Sequence, residues 1–295
     1  MQTLFRGIAT ALVTPMTRSG VDYAGLEALI RWQIDQGVQG LVVCGTSGEA
    51  STLTDEERRH VIQTAVQAAG GRVPVIAGTG SNNTAHTVAL TRQAQQLGAD
   101  GALVVTPYYN KATQAGLIAH YRAISQATDL PVIVYNVPGR TGMDIQPETY
   151  RALADLPHIA GIKEASGDIG KIGRTAALAG QDLAIYSGND DQIVPVLSLG
   201  GQGCISVLSN ILPAQTAEIT NLWFAGDSAG AAALHARYQR LISLLFSQVN
   251  PIPVKAALSA LGRCVDYLRL PLTPMEPGPR AELLAELERL GVLGG

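Results

Sequence analysis

Residues 159–167 read Ile-Ala-Gly-Ile-Lys-Glu-Ala-Ser-Gly, an apolar run that ends in a single lysine and then breaks at a Ser-Gly turn. This pattern is typical of a buried strand that meets a loop, with the Lys163 amine at the junction. An apolar environment disfavours the ammonium form, lowers the pKa of the amine and leaves a nucleophile able to form a Schiff base with a carbonyl compound. The alternative is that Lys163 caps the strand and pairs with Glu164 or another carboxylate.

Lysine is scarce in this chain, which sets Lys163 apart. The other lysines are Lys111, Lys171 and Lys255, and arginine supplies nearly all the remaining positive charge. Only Lys163 lies inside a strongly apolar run. This contrast favours the reactive-amine interpretation.

The segment around Lys163 is one of eight similar units. Each unit is a short apolar run followed by a turn and a longer helical pattern, which is typical of parallel sheets built from strand-helix-strand repeats. The predicted strands are residues 8–13, 41–44, 73–77, 102–105, 132–135, 159–162, 183–186 and 204–208. Eight such units in about 220 residues predict an α/β fold, a (β/α)8 (TIM) barrel, although an open doubly wound sheet has the same local pattern.

After Pro213 the alternation gives way to helical patterns alone. Apolar residues at helical spacing predict helices over residues 231–245, 254–261 and 283–290. We therefore divide the chain into a (β/α)8 catalytic barrel over residues 1–225 and a C-terminal helical region over residues 226–295.

Composition and charge exclude several classes of protein. A net charge of −3 and a pI near 6.0 give no sign of nucleic-acid binding, and no basic run indicates a membrane surface. The N-terminus lacks the pattern of a signal peptide, and no apolar run is long enough to span a bilayer. Cys44, Cys204 and Cys264 are far apart, which fits reduced thiols in a cytoplasmic protein.

Functional side chains of a parallel barrel lie at the carboxyl ends of its strands. Alternation places Tyr135 on one face with Ile133, and Lys163 on one face with Gly161 and Ile159. If both faces point into the barrel, the phenol and the amine meet near its mouth.

Other strand ends carry candidate binding groups. Thr46 and Ser47 lie on a glycine-flanked turn that can hold a small carboxylate, although a simple polar turn fits equally well. Arg140 follows a Pro-Gly turn, where its guanidinium can hold a second carboxylate. Residues 190–191, Asp-Asp, most simply begin a helix, where carboxylates suit the positive end of the dipole.

Five segments, taken in order, are more specific than any one of them. They are Gly-Thr-Ser-Gly-Glu at 45–49, Thr-Pro-Tyr-Tyr-Asn at 106–110, Tyr-Asn-Val-Pro-Gly-Arg-Thr-Gly at 135–142, Gly-Ile-Lys-Glu-Ala-Ser at 161–166 and Asn-Pro-Ile-Pro-Val-Lys at 250–255. Together they resemble the dihydrodipicolinate (4-hydroxy-tetrahydrodipicolinate) synthase family of class I, pyruvate-dependent aldolases and lyases. The resemblance covers essentially the whole chain.

The resemblance implies that Lys163 forms a Schiff base with pyruvate, and that the resulting enamine attacks L-aspartate 4-semialdehyde in the diaminopimelate and lysine pathway. It implies no metal and no organic cofactor, because the lysine imine is the electron sink. By position, Thr46, Tyr135 and Tyr109 match a proton-relay triad, with Tyr109 supplied across a dimer interface. A homotetramer built as a dimer of dimers is the implied assembly.

The resemblance also implies the substrate contacts. Thr46 and Ser47 match the pyruvate-carboxylate site, and Ser47 stands where threonine is usual. Arg140 matches the group that binds the semialdehyde carboxylate. Gly188 and Ile205 match positions whose backbone lines the pocket.

Departures from the family pattern concern inhibition by lysine. Asp55, Arg58 and His86 replace the His, His and Glu with which lysine-sensitive bacterial relatives bind the inhibitor, while Asn82 and Tyr108 are retained. We therefore expect weak or absent inhibition by lysine.

Two other functions fit part of the pattern. An N-acetylneuraminate lyase or a 2-keto-3-deoxy sugar-acid aldolase would share Lys163, Tyr135 and the 45–49 loop, but such relatives tend to lack Arg140. A non-catalytic barrel kept for ligand binding is more remote, since the lysine, both tyrosines and Thr46 are intact.

Overall fold

A closed barrel of eight parallel strands forms the centre of the computed structural model, which describes residues 3–293. The strands are β1 Gly7–Ala11, β4 Gly40–Val43, β5 Val75–Gly78, β6 Gly101–Val105, β7 Val132–Asn136, β8 Ile159–Glu164, β9 Ala184–Ser187 and β10 Gly203–Ser206. Around the barrel they follow the order β1, β10, β9, β8, β7, β6, β5, β4. The predicted (β/α)8 barrel is confirmed. A short antiparallel pair, β2 (Met16–Thr17) and β3 (Gly20–Val21), was not predicted.

Helices surround the barrel and continue after its last strand. They are α1 Tyr23–Asp35, α2 Asp55–Ala69, α3 Thr84–Gln96, α4 Gln114–Ser125, α5 Pro138–Thr141, α6 Pro147–Ala154, α7 Ile169–Ala179, α8 Ile193–Ser198, α9 Pro213–Phe224, α10 Ser228–Arg237, α11 Gln239–Leu245, α12 Ile252–Ala260 and α13 Pro277–Arg289. Short 3-10 helices cover Ala50–Thr52, Asp190–Gln192 and Leu208–Asn210. Within the described range, no helix is both long enough and apolar enough to cross a membrane.

Two apolar clusters hold the fold together. The larger cluster lies between the strands and the surrounding helices, and the smaller one fills the barrel. Alternate residues of a regular strand therefore face different clusters, as in β7, where Ile133 and Tyr135 point inward and Val134 points outward. The prediction that Ile133 and Tyr135 share the inner face is confirmed.

The pairing of β8 with β7 is interrupted near its start. Val132 pairs with Ile159, but the next residue, Ile133, pairs with Gly161, so Ala160 is an extra residue in β8. Such a bulge reverses the alternation locally. The prediction that Ile159 shares the face of Lys163 was consequently wrong, because Ile159 packs in the outer cluster.

The C-terminal helices are more broken than their sequence pattern indicates. The single helix predicted over residues 231–245 is divided into α10 and α11 at Tyr238, whose φ of −100° and ψ of 1° lie outside the helical range. Asp227 caps α10 by accepting a hydrogen bond from the Gly230 N–H. A capping box begins α2, with Thr54 and Glu57 bonding reciprocally.

The barrel closes where β1 meets β10, and this seam requires glycine. Gly203 has a φ of +151°, and a Cβ atom added there would lie 1.8 Å from the Gly7 carbonyl oxygen. No side chain can fit between the two strands at that distance. Gly203 therefore allows the Gly7–Gly203 pairing that completes the barrel.

We predict that Gly203→Ala lowers the free energy of unfolding by about 3 kcal/mol or more, since the methyl group would force β1 and β10 apart. Gly278→Ala is the matched control, because no atom lies within 4 Å of its added Cβ and its φ is not positive. It should change stability by less than about 1 kcal/mol. Urea denaturation of both variants measures this, and equal midpoints would contradict the account of the seam.

Candidate active site

A cavity of about 440 Å³ opens at the carboxyl ends of the barrel strands. It collects most of the site residues predicted from sequence, namely Thr46, Ser47, Tyr135, Arg140, Lys163 and Gly188. Sequence reasoning gave no site role to several other lining residues, among them Val137, Asn189, Val207, Phe246, Val249 and Asn250. One concave site thus contains an amine, a phenol, two hydroxyls and a guanidinium.

Lys163 and Tyr135 lie opposite each other on paired strands. The register of β7 and β8 aligns the two residues, and the Lys163 Nζ atom lies 4.3 Å from the centre of the Tyr135 ring. Both side chains are buried, with 5% and 6% of their surface exposed. Among the described residues Lys163 forms no ion pair, because the adjacent Glu164 points to the other face of the strand. The alternative in which Lys163 merely pairs with Glu164 is therefore not what the structure contains.

Gly188 provides the space that the lysine side chain occupies. A Cβ atom added to Gly188 would lie 2.7 Å from the Ala165 Cβ and 3.2 Å from the Lys163 Cε. The end of β9 therefore passes close to the amine without crowding it. Gly188 therefore lies on the cavity wall, beside the amine.

The turn with Thr46 and Ser47 is held by a hydrogen bond within the turn and by another from Asn250. The Glu49 N–H donates to the Thr46 carbonyl at 3.1 Å, and Glu49 itself takes a left-handed φ of 53°. The Asn250 Nδ2 atom donates to Ser47 Oγ at 3.0 Å. Because the Ser47 oxygen accepts this bond, its own proton is free to point at a ligand.

Arg140 lies at the mouth of the cavity. It belongs to α5, the single helical turn that follows β7, and its side chain is exposed. Its Nη2 atom donates to the Asn250 carbonyl at 3.2 Å, which leaves other guanidinium N–H groups for a carboxylate. Asn250 thus contacts both Arg140 and Ser47.

Two predicted site residues do not line this cavity in the single chain. Tyr109 is 92% exposed and has a left-handed φ of 72°. Ile205 is fully buried inside the barrel, one layer below the cavity, and Val207 forms the wall at that strand end. The neighbouring Tyr108 lines an adjoining space of about 310 Å³ that shares Thr46, Tyr135 and Arg140 with the main cavity.

Asp190 has a role that sequence reasoning missed. It does begin a short helix, but its side chain is buried and accepts bonds of 2.9 Å from the Val207 and Leu208 N–H groups. Burial raises the pKa of Asp190, and hydrogen bonds to the carboxylate and the nearby Lys163 charge partly oppose that effect. Nothing in the sequence of residues 190–191 indicated that the Asp190 carboxylate would hydrogen-bond to the turn after β10.

The C-terminal region anchors the Thr46 turn through charged groups. Lys255 and Glu49 form an ion pair in which both side chains are 0% exposed. The Lys255 Nζ atom also donates to the Tyr267 carbonyl at 2.8 Å, and the Arg269 N–H donates to Glu49. Removing one partner would leave a buried charge without compensation, so this contact ties residues 45–50 to the C-terminal helices.

Comparison with known proteins agrees with this geometry. The model of the dihydrodipicolinate synthetase family matches residues 4–290. The chain belongs to the dihydrodipicolinate synthetase family. A curated member of the family, the 4-hydroxy-tetrahydrodipicolinate synthase of Alkaliphilus oremlandii, is 49% identical over 290 residues, which are 98% of this chain and 100% of the relative.

Solved structures of the family share the fold over its full length. The dihydrodipicolinate synthase of Thermotoga maritima superposes with a TM-score of 0.97 at 44% identity, covering 99% of this chain and 100% of that one. The enzyme of Acinetobacter baumannii, solved in complex with pyruvate, gives a TM-score of 0.96 at 44% identity with the same coverage. The recognition of the family from five sequence segments is therefore confirmed.

Among residues 3–293, no group of three or more His, Cys, Asp or Glu side chains could hold a metal ion. Cys44, Cys204 and Cys264 are free thiols, and burial raises the pKa of Cys44 to about 12.

Two of the cavity-lining residues that were not predicted, Phe246 and Val249, precede α12 in an apolar stretch that resembles ordinary core sequence. Asn250 begins the 250–255 segment of the family pattern, which was the only available signal for it.

We predict an acid-sensitive contribution from Glu57, which bonds Arg269 beside the Thr46 turn. Hydrogen bonding to Arg269 lowers the pKa of Glu57 from 4.5 to about 2. The stabilisation is present above pH 4.5 and is lost as the pH falls toward 2. Between pH 6 and pH 2.5 the difference in unfolding free energy between wild type and Glu57→Gln should shrink by about 2 kcal/mol.

The control is Glu27→Gln, which removes an exposed pair with Arg31. The difference in unfolding free energy between wild type and Glu27→Gln should vary by less than about 0.5 kcal/mol over the same pH range. Denaturation curves at several pH values give both quantities. A difference for Glu57→Gln that does not vary with pH would show that the Arg269 contact has no such effect.

Proposed function

We propose that this chain is a 4-hydroxy-tetrahydrodipicolinate synthase, a lyase that condenses pyruvate with L-aspartate 4-semialdehyde in diaminopimelate and lysine biosynthesis. The observation that carries the proposal is the buried Lys163 amine, which lies over the Tyr135 ring in the cavity and has no ion-pair partner among the described residues. The identity of 49% with a curated synthase over nearly the whole chain supports the choice of substrates.

Lys163 is the proposed nucleophile. Its neutral amine attacks the pyruvate ketone, and loss of water gives the imine, which acidifies the methyl group. Removal of a methyl proton gives the enamine, and its terminal carbon attacks the semialdehyde aldehyde. The amino group of the second substrate then attacks the imine carbon, which closes the ring and releases Lys163. Tyr135 lies where a phenol can carry protons to and from these intermediates, with Thr46 as its proposed relay partner.

Two carboxylates need binding groups in this reaction. Ser47, whose proton is free, and Thr46 are proposed to hold the pyruvate carboxylate within the turn. Arg140 is proposed to hold the semialdehyde carboxylate at the mouth, where a guanidinium can form two parallel hydrogen bonds. The Gly188 backbone forms part of the wall, and Ile205 lies below as support.

We predict that Lys163→Arg forms no pyruvyl adduct after borohydride reduction, because a guanidinium keeps the charge but is not a nucleophile. Mass spectrometry of the intact protein measures the adduct, and turnover of aspartate semialdehyde is assayed in parallel. Arg140→Met is the matched control, since it should still give the adduct while turnover falls about 100-fold.

An adduct that persists in Lys163→Arg would place the reactive amine elsewhere. An adduct in wild type without turnover of the semialdehyde would favour a sugar-acid aldolase over the synthase. Failure of wild type to form any adduct would favour a non-catalytic barrel.

Tyr109 is proposed to act in the cavity of a partner subunit within a homotetramer built as a dimer of dimers. Its exposure of 92% and its left-handed backbone present the phenol away from its own chain. The adjoining space lined by Tyr108 opens beside Tyr135 and provides a route by which the partner's phenol can enter.

A cytoplasmic location, where the free thiols stay reduced, is proposed together with the biosynthetic pathway.

We predict that Tyr109→Phe lowers kcat about tenfold or more. Mixing Tyr109→Phe chains with inactive Lys163→Arg chains should restore activity, because a hybrid pair then contains one complete site. The measurement is the specific activity after co-refolding, compared with each variant alone. No recovery in verified hybrids would mean that Tyr109 does not act across a subunit boundary.

Lysine is expected to inhibit weakly or not at all. The Arg58 guanidinium is buried and donates to the Gly78 and Ala50 carbonyls at 2.8 and 2.9 Å, and His86 faces Asp55 at 3.8 Å. These side chains offer a different set of charges from that of lysine-sensitive relatives. We predict full activity at submillimolar lysine, and a titration with strong inhibition in that range would refute the prediction.

A further inference from the structure

A mostly buried polar cluster lies directly behind the proposed catalytic pair, on the outer side of the barrel, and one of its members, Asp144, is 41% exposed. The Glu164 cluster consists of Asn136, Asp144, Tyr150, Glu164 and Lys171. The side chains of Glu164 and Lys171 are only 3% and 4% exposed, although both are normally charged. None of the five residues lines the cavity.

The cluster joins the two strands at the positions next to Tyr135 and Lys163. The register pairs Tyr135 with Lys163 and then Asn136 with Glu164. The Asn136 Nδ2 atom donates to the Glu164 oxygens Oε1 and Oε2 at 3.0 and 3.2 Å. Since neighbouring residues of a strand point to opposite faces, this bond crosses from β7 to β8 immediately behind the phenol and the amine.

The location of this bond matters because the ladder below it is irregular. Pairing shifts by one residue between Val132 and Ile133, where Ala160 bulges out of β8. Backbone pairing below the bulge therefore does not by itself fix the alignment above it. Above the bulge the backbone pairs regularly from Ile133–Gly161 to Asn136–Glu164, and the side-chain contact between Asn136 and Glu164 reinforces the upper end of that stretch, where Lys163 is aligned with Tyr135.

Glu164 also fixes the loop that follows Lys163. Its Oε1 atom accepts a bond of 2.8 Å from the Ser166 N–H, and its Oε2 atom accepts one of 2.8 Å from the Tyr150 hydroxyl. Ser166 lines the cavity. Burial and the Glu164 charge raise the pKa of Tyr150 well above 10, so the phenol remains a donor to the carboxylate.

Lys171 lies beside the buried Glu164 carboxylate. Its Nζ atom pairs with Asp144 and lies 3.8 Å from Glu164 Oε2. Asn136 donates to Asp144 as well, at 2.9 Å, so the amide connects both carboxylates. The Glu164 carboxylate thus has hydrogen-bond donors on several sides, which is the condition under which a buried polar network makes a structure rigid.

We infer that Glu164 is a positioning residue: through Asn136, Tyr150 and the Ser166 N–H it holds Lys163 in line with Tyr135, so that the amine meets a ketone at the angle that imine formation requires. The inference rests on the proposed function, since it takes the pyruvate imine as the species formed. Displacement of reacting groups by about 1 Å can slow a reaction about 100-fold. The effect of Glu164 is therefore on the rate of imine formation and not on the affinity for pyruvate.

The test is the rate of imine formation in Glu164→Gln, measured by borohydride trapping at timed intervals over a range of pyruvate concentrations. The amide keeps the shape but directs N–H groups at Asn136, Tyr150 or Lys171. The maximal rate should fall about 10- to 100-fold, while the half-saturating pyruvate concentration changes less than about threefold. The assay is run well below the Tm of each variant.

Glu286→Gln is the matched control, because Glu286 is also a buried carboxylate with arginine partners but lies on α13. Its maximal rate should stay within about twofold of wild type even if its Tm falls similarly. Should Glu164→Gln fail to fold, Tyr150→Phe removes one hydrogen bond to the carboxylate and should slow trapping about threefold.

The outcomes separate this inference from the proposed function. A folded Glu164→Gln variant that traps pyruvate at the wild-type rate overturns the positioning role, as does an unchanged rate in Tyr150→Phe where only that variant folds. The positioning role is also overturned if the variant needs more pyruvate for half-saturation but keeps the wild-type maximal rate. Absence of any adduct in wild type instead overturns the proposed function.

Discussion

Closure of the parallel sheet is the constraint on which the site depends. Each strand of the barrel is paired on both sides, so the sheet has no free edge, and all eight strands point toward the same rim. The seam between β1 and β10 closes because Gly203 has no side chain to meet the Gly7 carbonyl oxygen. Once the circle is complete, the turns after β4, β7, β8, β9 and β10 surround one cavity, and residues more than a hundred positions apart become neighbours.

The C-terminal helical region takes part in the site as well as in the fold. Asn250 contacts Ser47 and Arg140, and the buried Lys255–Glu49 pair fixes the turn from which Thr46 and Ser47 project. The groups proposed to hold the two substrate carboxylates are thus both held by a segment that follows the last strand. Removal of that segment would leave the barrel without two of the supports on which its binding groups rest.

The sequence predicted the barrel and most of the cavity because both depend on short periodic patterns. Strand alternation located Tyr135 and Lys163, and the rule that strand ends carry function located Thr46, Ser47 and Arg140. The failures have physical causes. The bulge at Ala160 places Ile159 on the outer face of the barrel. The backbone at Tyr238 interrupts the helix predicted over residues 231–245. The Asp190 carboxylate accepts a hydrogen bond from Val207, which is close to it only in the folded chain. Bulges and long-range hydrogen bonds leave no periodic trace in a single sequence.

The scarcity of lysine acquires a practical meaning once burial is known. Lys163, Lys171 and Lys255 are 5%, 3% and 0% exposed, whereas Lys111 lies in the open, two residues beyond Tyr109. Outside the cavity that contains Lys163, an acylating dye therefore meets one exposed lysine side chain, and it attaches beside the phenol proposed to enter a partner subunit. Conjugation at Lys111 would give a fluorescent reporter of subunit association without an engineered attachment point.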